Sequence, residues 1–332
     1  MATLAANNLT IADIVKMTNP DGTPAKMAEL LNQQNAAVKD SIWQKCNKLD
    51  AHQYGVETSL GTASLRGPYE GVTPSASSSA QATETTTVIA DWARIDKLVA
   101  ELGGNLGAIL EGEVRRKTEN IGQKYAQLVF YGNHSTTPRE FNGFAQRYSA
   151  TANNNGENIV KAGGSGSDNS SIWLICWGMD KIYGIYADGQ PAGLFHKDWG
   201  LRPVVDATGP AGATFTAYEQ ELSWSCGLAV QDWRFASRIC NIDISALVAG
   251  SGADLPDKMI EAYHCIPSFE GVSPAWYMNR TTFKELHKQC RNDVTSGGQL
   301  SYDVVDGKPM AEFLKIPVRL VDRLTETEAT VT

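Results

Sequence analysis

Residues 105–148 read NLGAILEGEVRRKTENIGQKYAQLVFYGNHSTTPREFNGFAQRY, and this stretch decides the fold. Leu106, Leu110, Val114, Ile121, Tyr125 and Leu128 recur at three, four or seven positions, which predicts one long helix over 105–131. Asn105 is placed to cap its start. Phe130-Tyr131-Gly132-Asn133 ends it, with Gly132 or Asn133 expected in the left-handed backbone that stops a helix. Pro138 then blocks a restart. The helix carries Arg115-Arg116-Lys117 beside Glu111, Glu113 and Glu119, a pattern that reads either as a solvated face of i, i+4 pairs or as a contact for an acidic partner segment. Nothing in it suggests catalysis.

Outward from this helix, the chain changes character on both sides. Residues 1 to about 50 do not read as a compact domain: Ala5 to Val15 is small and polar, Asn19-Pro20-Asp21-Gly22 is a turn, and Pro24 opens a helix through Asn35. Met27, Leu30 and Leu31 give that helix one narrow stripe, too thin to be stable alone, so it reads as an arm over another surface or as a frayed terminus. From 53 to 92 the composition turns β-branched and small. Val56, Leu60 and Leu65 mark one extended limb and Thr83 to Ile89 a second, with Gly67-Pro68, Gly71 and Pro74 as breakers between them. Glu84 is the only charge between Gly71 and Thr87. A hairpin of this composition lacks its own core and needs a neighbour; a disordered Ser/Ala/Thr linker is the competing reading. Residues 91–102 are expected to be a short helix, closed by Gly103-Gly104.

After Tyr148 the chain is loop-rich. Strands are expected at 172–177 and 182–186, irregular chain at 192–212, and an antiparallel ribbon formed by 214–224 and 227–239 around Ser225-Cys226. A helix over 256–264, a strand at 276–279, a helix capped by Thr281, and a hairpin turning at Asp306-Gly307 complete the reading, with a last strand at 316–321. No internal repeat and no βαβ rhythm appear, so the class is α+β.

Composition narrows the function. The 332 residues are 42% hydrophobic, enough for a large core in more than one lobe. A net charge of −8 argues against wrapping nucleic acid and allows only weak, non-specific contact with it. Six cysteines, no two closer than 14 positions, form no C-x-x-C pair. No secretory leader and no apolar run near 18 residues are found, so a cytosolic protein with reduced thiols and no membrane association is expected. No two of His52, His134, His196, His264 and His287 stand at helical metal spacing. Gly163 to Asn169 lacks the Gly-Lys-Ser/Thr ending of a phosphate loop, and Gly307-Lys308 runs into Pro309. With no G-x-S-x-G elbow and no paired carboxylates, neither a catalytic residue nor a cofactor is predicted. An enzyme or ligand-binding protein built on the aromatic middle section is the alternative class, since catalytic groups can be dispersed through a fold.

Three separated stretches resemble one family. They are Tyr131-Gly132-Asn133 through Arg147-Tyr148; Gly166 to Trp173 with Cys226-Gly227-Leu228, Asp232-Trp233-Arg234, Arg238-Ile239 and Asn241-Ile242-Asp243; and Trp276 to Thr281 with Ile316-Pro317-Val318. Their order is similar to that in the major capsid proteins of short-tailed, epsilon-type bacteriophages, and Ile14-Val15-Lys16 through Asn32-Gln33 looks like that family's arm. The resemblance implies a Hong Kong 97-like fold: an N-terminal arm (1–52), an E-loop (53–92), a peripheral domain with the spine helix (93–150), an axial domain (151–275) and returning strands (276–332). It implies a self-assembling icosahedral shell around phage double-stranded DNA, built in the host bacterial cytoplasm from hexamers and pentamers. Scaffolding protein and portal are the expected partners, with a cement protein possible. Candidate intersubunit contacts are Met27, Leu30 and Leu31 on the arm, Arg66, Val88 and Ile89 on the hairpin, and Arg115 and Arg116 on the helix. Some shells of this fold join an E-loop lysine to a neighbour's asparagine; here no lysine stands between Lys48 and Lys97.

Overall fold

The computed structural model describes residues 35–102, 106–205, 212–292, 300–305 and 308–332. Its first four strands are β1 (Trp43–Lys45), β2 (Ala51–Ser59), β3 (Ser78–Thr85) and β4 (Thr87–Asp96). Then come β5 (Ile159–Lys161), β6 (Asn169–Trp177), β7 (Ile182–Tyr186), β8 (Leu194–Val205), β9 (Thr214–Val230) and β10 (Ala236–Asp243). The last four are β11 (Ser273–Met278), β12 (Leu300–Val305), β13 (Lys308–Phe313) and β14 (Ile316–Leu320).

The larger sheet has the order β12-β13-β14-β11-β6-β10-β5. β6 is an interior strand of this sheet, antiparallel to both β10 and β11, and every one of its residues is buried. That explains its sequence, Asn169-Ser-Ser-Ile-Trp-Leu-Ile-Cys-Trp177: a strand covered on both faces has no reason to alternate. The Ile244–Val248 and Leu255–His264 helices pack on β10, and both contact the Arg280–Asn292 helix. The cap of this last helix is Asn279, whose side chain accepts the Thr281 N–H at 3.1 Å; Thr281, the expected cap, lies inside the helix.

The long helix, Leu106–Tyr131, forms as read, although the Asn105 cap and the Gly103-Gly104 break lie outside the described residues. Its N-terminal part joins a small cluster of Ile95, Ala100, Ile109 and Leu110. From Ile121 onward it enters the main core, where Phe130, Phe144, Tyr148 and Trp173 pack ring against ring. The helix ends differently from the expectation. Among the described residues, neither Gly132 nor Asn133 has a positive φ. Glycine is required at 132 for space: a Cβ there would lie 2.4 Å from the Phe141 carbonyl oxygen and 2.6 Å from that of Leu128. The Gly143 N–H donates to the Gly132 carbonyl at 2.8 Å, folding the Phe141-Asn-Gly-Phe144 turn back onto the helix end.

The second sheet runs β1-β7-β9-β4, with β8 also paired to β9. Three expectations are corrected here. Residues 91–96 belong to β4, and only Lys97–Leu102 is helical. Residues 194–205 form the strand β8 instead of irregular chain. The expected ribbon around Ser225-Cys226 is one unbroken strand, β9, whose length is set by its partners: β8 and β4 flank 217–224, and β7 continues alongside 227–230. Reading Ser225-Cys226 as a turn failed because both residues are buried between β4 and its neighbours.

The C-terminal segment is fastened into the core. Glu328 receives a hydrogen bond from Arg238 Nη2 at 2.7 Å, plus others from the Ser171 and Tyr131 hydroxyls, and both members of the ion pair are almost fully buried. Three residues on, the backbone of Val331 exchanges two 2.8 Å hydrogen bonds with the Asn241 side chain.

Candidate intersubunit surfaces

Among the described residues, β2 and β3 pair only with each other, from Ala51↔Thr85 outward to Ser59↔Ser78. The expected hairpin therefore exists, but its second limb stops at Thr85. Thr86 donates both its N–H and its hydroxyl to the Asp50 carbonyl and turns the chain. Beyond it, Val88 pairs with Ser225 and Ile89 with Trp224, so these two candidates belong to the β4–β9 sheet and not to the hairpin. The run Thr85-Thr86-Thr87-Val88-Ile89 is uniformly β-prone, which is why sequence pattern alone carries one strand through the corner.

The two neighbours differ in environment. Ile89 is half-buried against the main core, on the face that meets the long helix; Val88 is 65% exposed. The alternation of β4 and its register place Val88, Ala90 and Trp92 on the outer face, with Ser223 and Glu221 of β9 beside them and Phe195 and Lys197 of β8 beyond. Trp199 joins this face by donating from Nε1 to Glu221 at 2.9 Å, with Lys197 Nζ 3.5 Å from its ring. Val88, Trp92, Phe195 and Trp199 thus give one side of the sheet an exposed apolar character, while the other side is covered by the helix.

A groove of about 390 Å³ opens between Val88–Ala90 of β4 and Ile121, Lys124 and Leu128 of the long helix. Its rim is tied by ion pairs, Lys117 to Asp91 at 3.1 Å and Lys124 to Glu140 at 3.4 Å. On the helix, Arg116 is paired with Glu113 at 2.6 Å, and Arg115 is exposed. Arg66 lies in the exposed hairpin tip, donating from Nε to the Glu70 carbonyl at 2.7 Å. Met27, Leu30 and Leu31 lie outside the described residues. Among the described residues the structure therefore disperses the candidates over the tip, both faces of β4 and the helix instead of gathering them into one site.

Two polar constellations escaped the sequence reading. One is the Arg238–Glu328 pair described above. The other is Glu84, whose two carboxylate oxygens accept from Arg147 Nη1 and Nη2 at 2.7 and 2.6 Å. Burial opposes the charge on Arg147, but the hydrogen bonds and charge of Glu84 prevail and hold its pKa above the ordinary value. A signal for the second existed: a lone carboxylate in a long uncharged stretch implies a partner. Among the described residues, no group of three or more His, Cys, Asp or Glu could hold a metal ion.

The chain thus combines a long helix laid on one sheet, a second sheet with a buried interior strand, and a hairpin whose outer part is exposed. A family model for major capsid protein GP7 matches residues 19–332. The chain belongs to that family. The cryo-EM structure of bacteriophage Epsilon15 matches with a TM-score of 0.80 and 30% identity, over 100% of both chains. More distant matches include the bacteriophage JBD30 capsid (TM-score 0.49, 10% identity, 90% of this chain and 96% of that one). Another is the SrpI encapsulin of Synechococcus elongatus PCC 7942 (TM-score 0.47, 9% identity, 70% and 95%). No curated protein matches by sequence. The capsid protein thus has the Hong Kong 97-like fold expected of it, and its class is α+β.

Proposed function

We propose that this capsid protein forms the wall of an icosahedral phage head from pentamers and hexamers of one chain, assembled in the bacterial cytoplasm with a scaffolding protein and a portal. The observation that carries the reading is the unsupported apolar surface of the single chain. The hairpin beyond Val56 is exposed along its whole outer length, including Leu60, Leu65 and Tyr69, and the outer sheet face exposes Val88 and Trp92. Monomers rarely leave such surfaces wet, and neighbouring copies would cover them. Heterologous contacts that close into rings are the geometry such a subunit needs. Within this reading, the E-loop comprises β2, β3 and the tip between them, ending at the Thr86 corner. The arm, with Met27, Leu30 and Leu31, and the helix residues Arg115 and Arg116 serve as further contacts. A cement protein would bind the closed shell from outside. Contact with packaged DNA stays weak, because the net charge of −8 repels phosphate.

Expression of the chain with its scaffolding protein, followed by sedimentation and electron microscopy, tests the proposal. Closed particles of uniform size are expected. Replacing residues 60–77 with a two-residue turn should give a folded, monomeric chain and no particles. Particles of normal size from the shortened chain would remove the hairpin from the contact surface; small, non-closing species from the full chain would remove the shell role.

A further inference from the structure

The β2–β3 hairpin is two structures joined end to end. Its inner part, from Ala51↔Thr85 to Val56↔Ala80, is built into the body. Tyr54 packs with Cys46, Tyr183, Ile185 and Ala229, and Val56 and Ala82 close this small cluster. Polar contacts bind the same segment to three other parts of the chain. Glu84 is clamped in two-pronged fashion by Arg147, whose Nη2 also donates to the Asn142 carbonyl at 3.3 Å. The Tyr54 hydroxyl reaches Glu84 at 3.0 Å and the Val230 carbonyl on β9 at 2.8 Å. His52 Nε2 lies 3.0 Å from the Tyr183 hydroxyl, which in turn donates to Gln231 at 3.2 Å. An ion pair with two parallel hydrogen bonds fixes direction as well as distance, and its shielding from water keeps it strong.

The outer part has none of this. The ladder slips between Glu57 and Ser59, and the last register pair is Ser59↔Ser78. From 57 to 79 every residue but the half-buried Gly67 is exposed. Its hydrogen bonds are local, such as Ser75 to the Thr62 carbonyl at 2.9 Å and Gly67 N–H to Glu70 at 2.9 Å. A register slip is where a two-stranded ribbon bends and twists most readily, since the extra residue is unpaired there.

We infer that the hairpin hinges at the Glu57–Ser59 slip, not where it leaves the body, and that the Glu84–Arg147 pair is the latch that keeps its root fixed. The root then acts as part of the subunit, and only residues 57–79 swing. The use of this device rests on the shell reading: one chain that must meet neighbours at different angles moves a short, exposed segment without disturbing its core. The hinge itself is a property of the single chain.

Hydrogen exchange with mass spectrometry on the soluble, unassembled protein tests it. Amides of 51–56 and 80–85 should exchange on the order of 100-fold more slowly than those of 60–77, with the step at 57–59. Glu84→Gln, which leaves Arg147 buried without its counter-charge, should speed exchange in the root at least about tenfold while β6 stays protected. Deleting Thr58, which restores an even register, should extend protection past Ser59. A step located at Thr86, so that the whole hairpin exchanges as one unit, would overturn the hinge. Unchanged root exchange in Glu84→Gln would overturn the latch. Either result stands whether or not the chain assembles, so failure here is separable from failure of the shell role.

Discussion

β6 and β2 are both nine-residue strands, and they have opposite fates. β6 is buried from end to end between two antiparallel neighbours, with Trp173 and Trp177 in the main core. Among the described residues β2 has one partner strand, and it loses its cover after Val56. The first accounts for the fold of the subunit; the second, in the proposed shell, would be covered by neighbouring copies. On that proposal the molecule separates the surface that makes it stable from the surface that makes it assemble. Mutations should sort along the same line.

The largest effect is expected at the pair that ties the C-terminus to the β6–β10 layer. Glu328→Ala leaves Arg238 buried without its carboxylate and also removes the acceptor for Ser171 and Tyr131. Breaking such a pair costs about 3–5 kcal/mol. A thermal melt of the unassembled chain should shift downward by roughly 5–15 °C. A shift within a degree or two would mean that the strap contributes little and that the stable half of the comparison is wrongly drawn.

The next effect divides two adjacent residues. Ile89→Asp puts a charge against the core side of β4 and should cost about 2 kcal/mol of monomer stability. Val88→Asp points to solvent in the single chain and should stay within about 0.5 kcal/mol, yet reduce particle yield if the outer face is covered in the shell. Equal destabilisation by both, measured by denaturant unfolding, would contradict the alternation on which the outer face was assigned.

How far sequence reached follows the same division. The long helix, β6, β7, the Leu255–His264 helix and the paired strands β12 and β13 were legible, because their sequence patterns are local. The Thr86 corner was not: it is made by hydrogen bonds to Asp50, and nothing in a run of threonines announces them. β8 was missed since its residues are mostly exposed, with Gly200 at a positive φ and a register slip between Asp198 and Gly200 breaking the period. Continuity of β9 was missed because its partners come from three distant segments. Of the candidate contacts, Arg66 and Val88 lie on exposed chain, while Ile89 faces inward on account of strand parity, which a one-residue uncertainty in register reverses.

The smallest predicted effect concerns pH at the boundary between the two halves. Burial lowers the pKa of His52 below its ordinary 6.5, against the opposing pull of Glu84. Around the ring stand the Tyr183 hydroxyl on Nε2, the Tyr54 ring, and the Glu84–Arg147 pair, while Nδ1 is buried without a partner. Since the unfolded chain takes up this proton first, the stabilisation from a neutral His52 is complete above pH 6.5 and declines as pH falls below it. Opening of the root should follow the same slope: exchange of amides 51–56, corrected for the intrinsic rate, speeds as the pH drops from 7 to 5, and His52→Gln flattens the response. Residues 60–77 should show no such dependence, being already open. A parallel pH response in both segments would show that His52 does not report on the root, and the line drawn at Glu57 would then rest on burial and register alone.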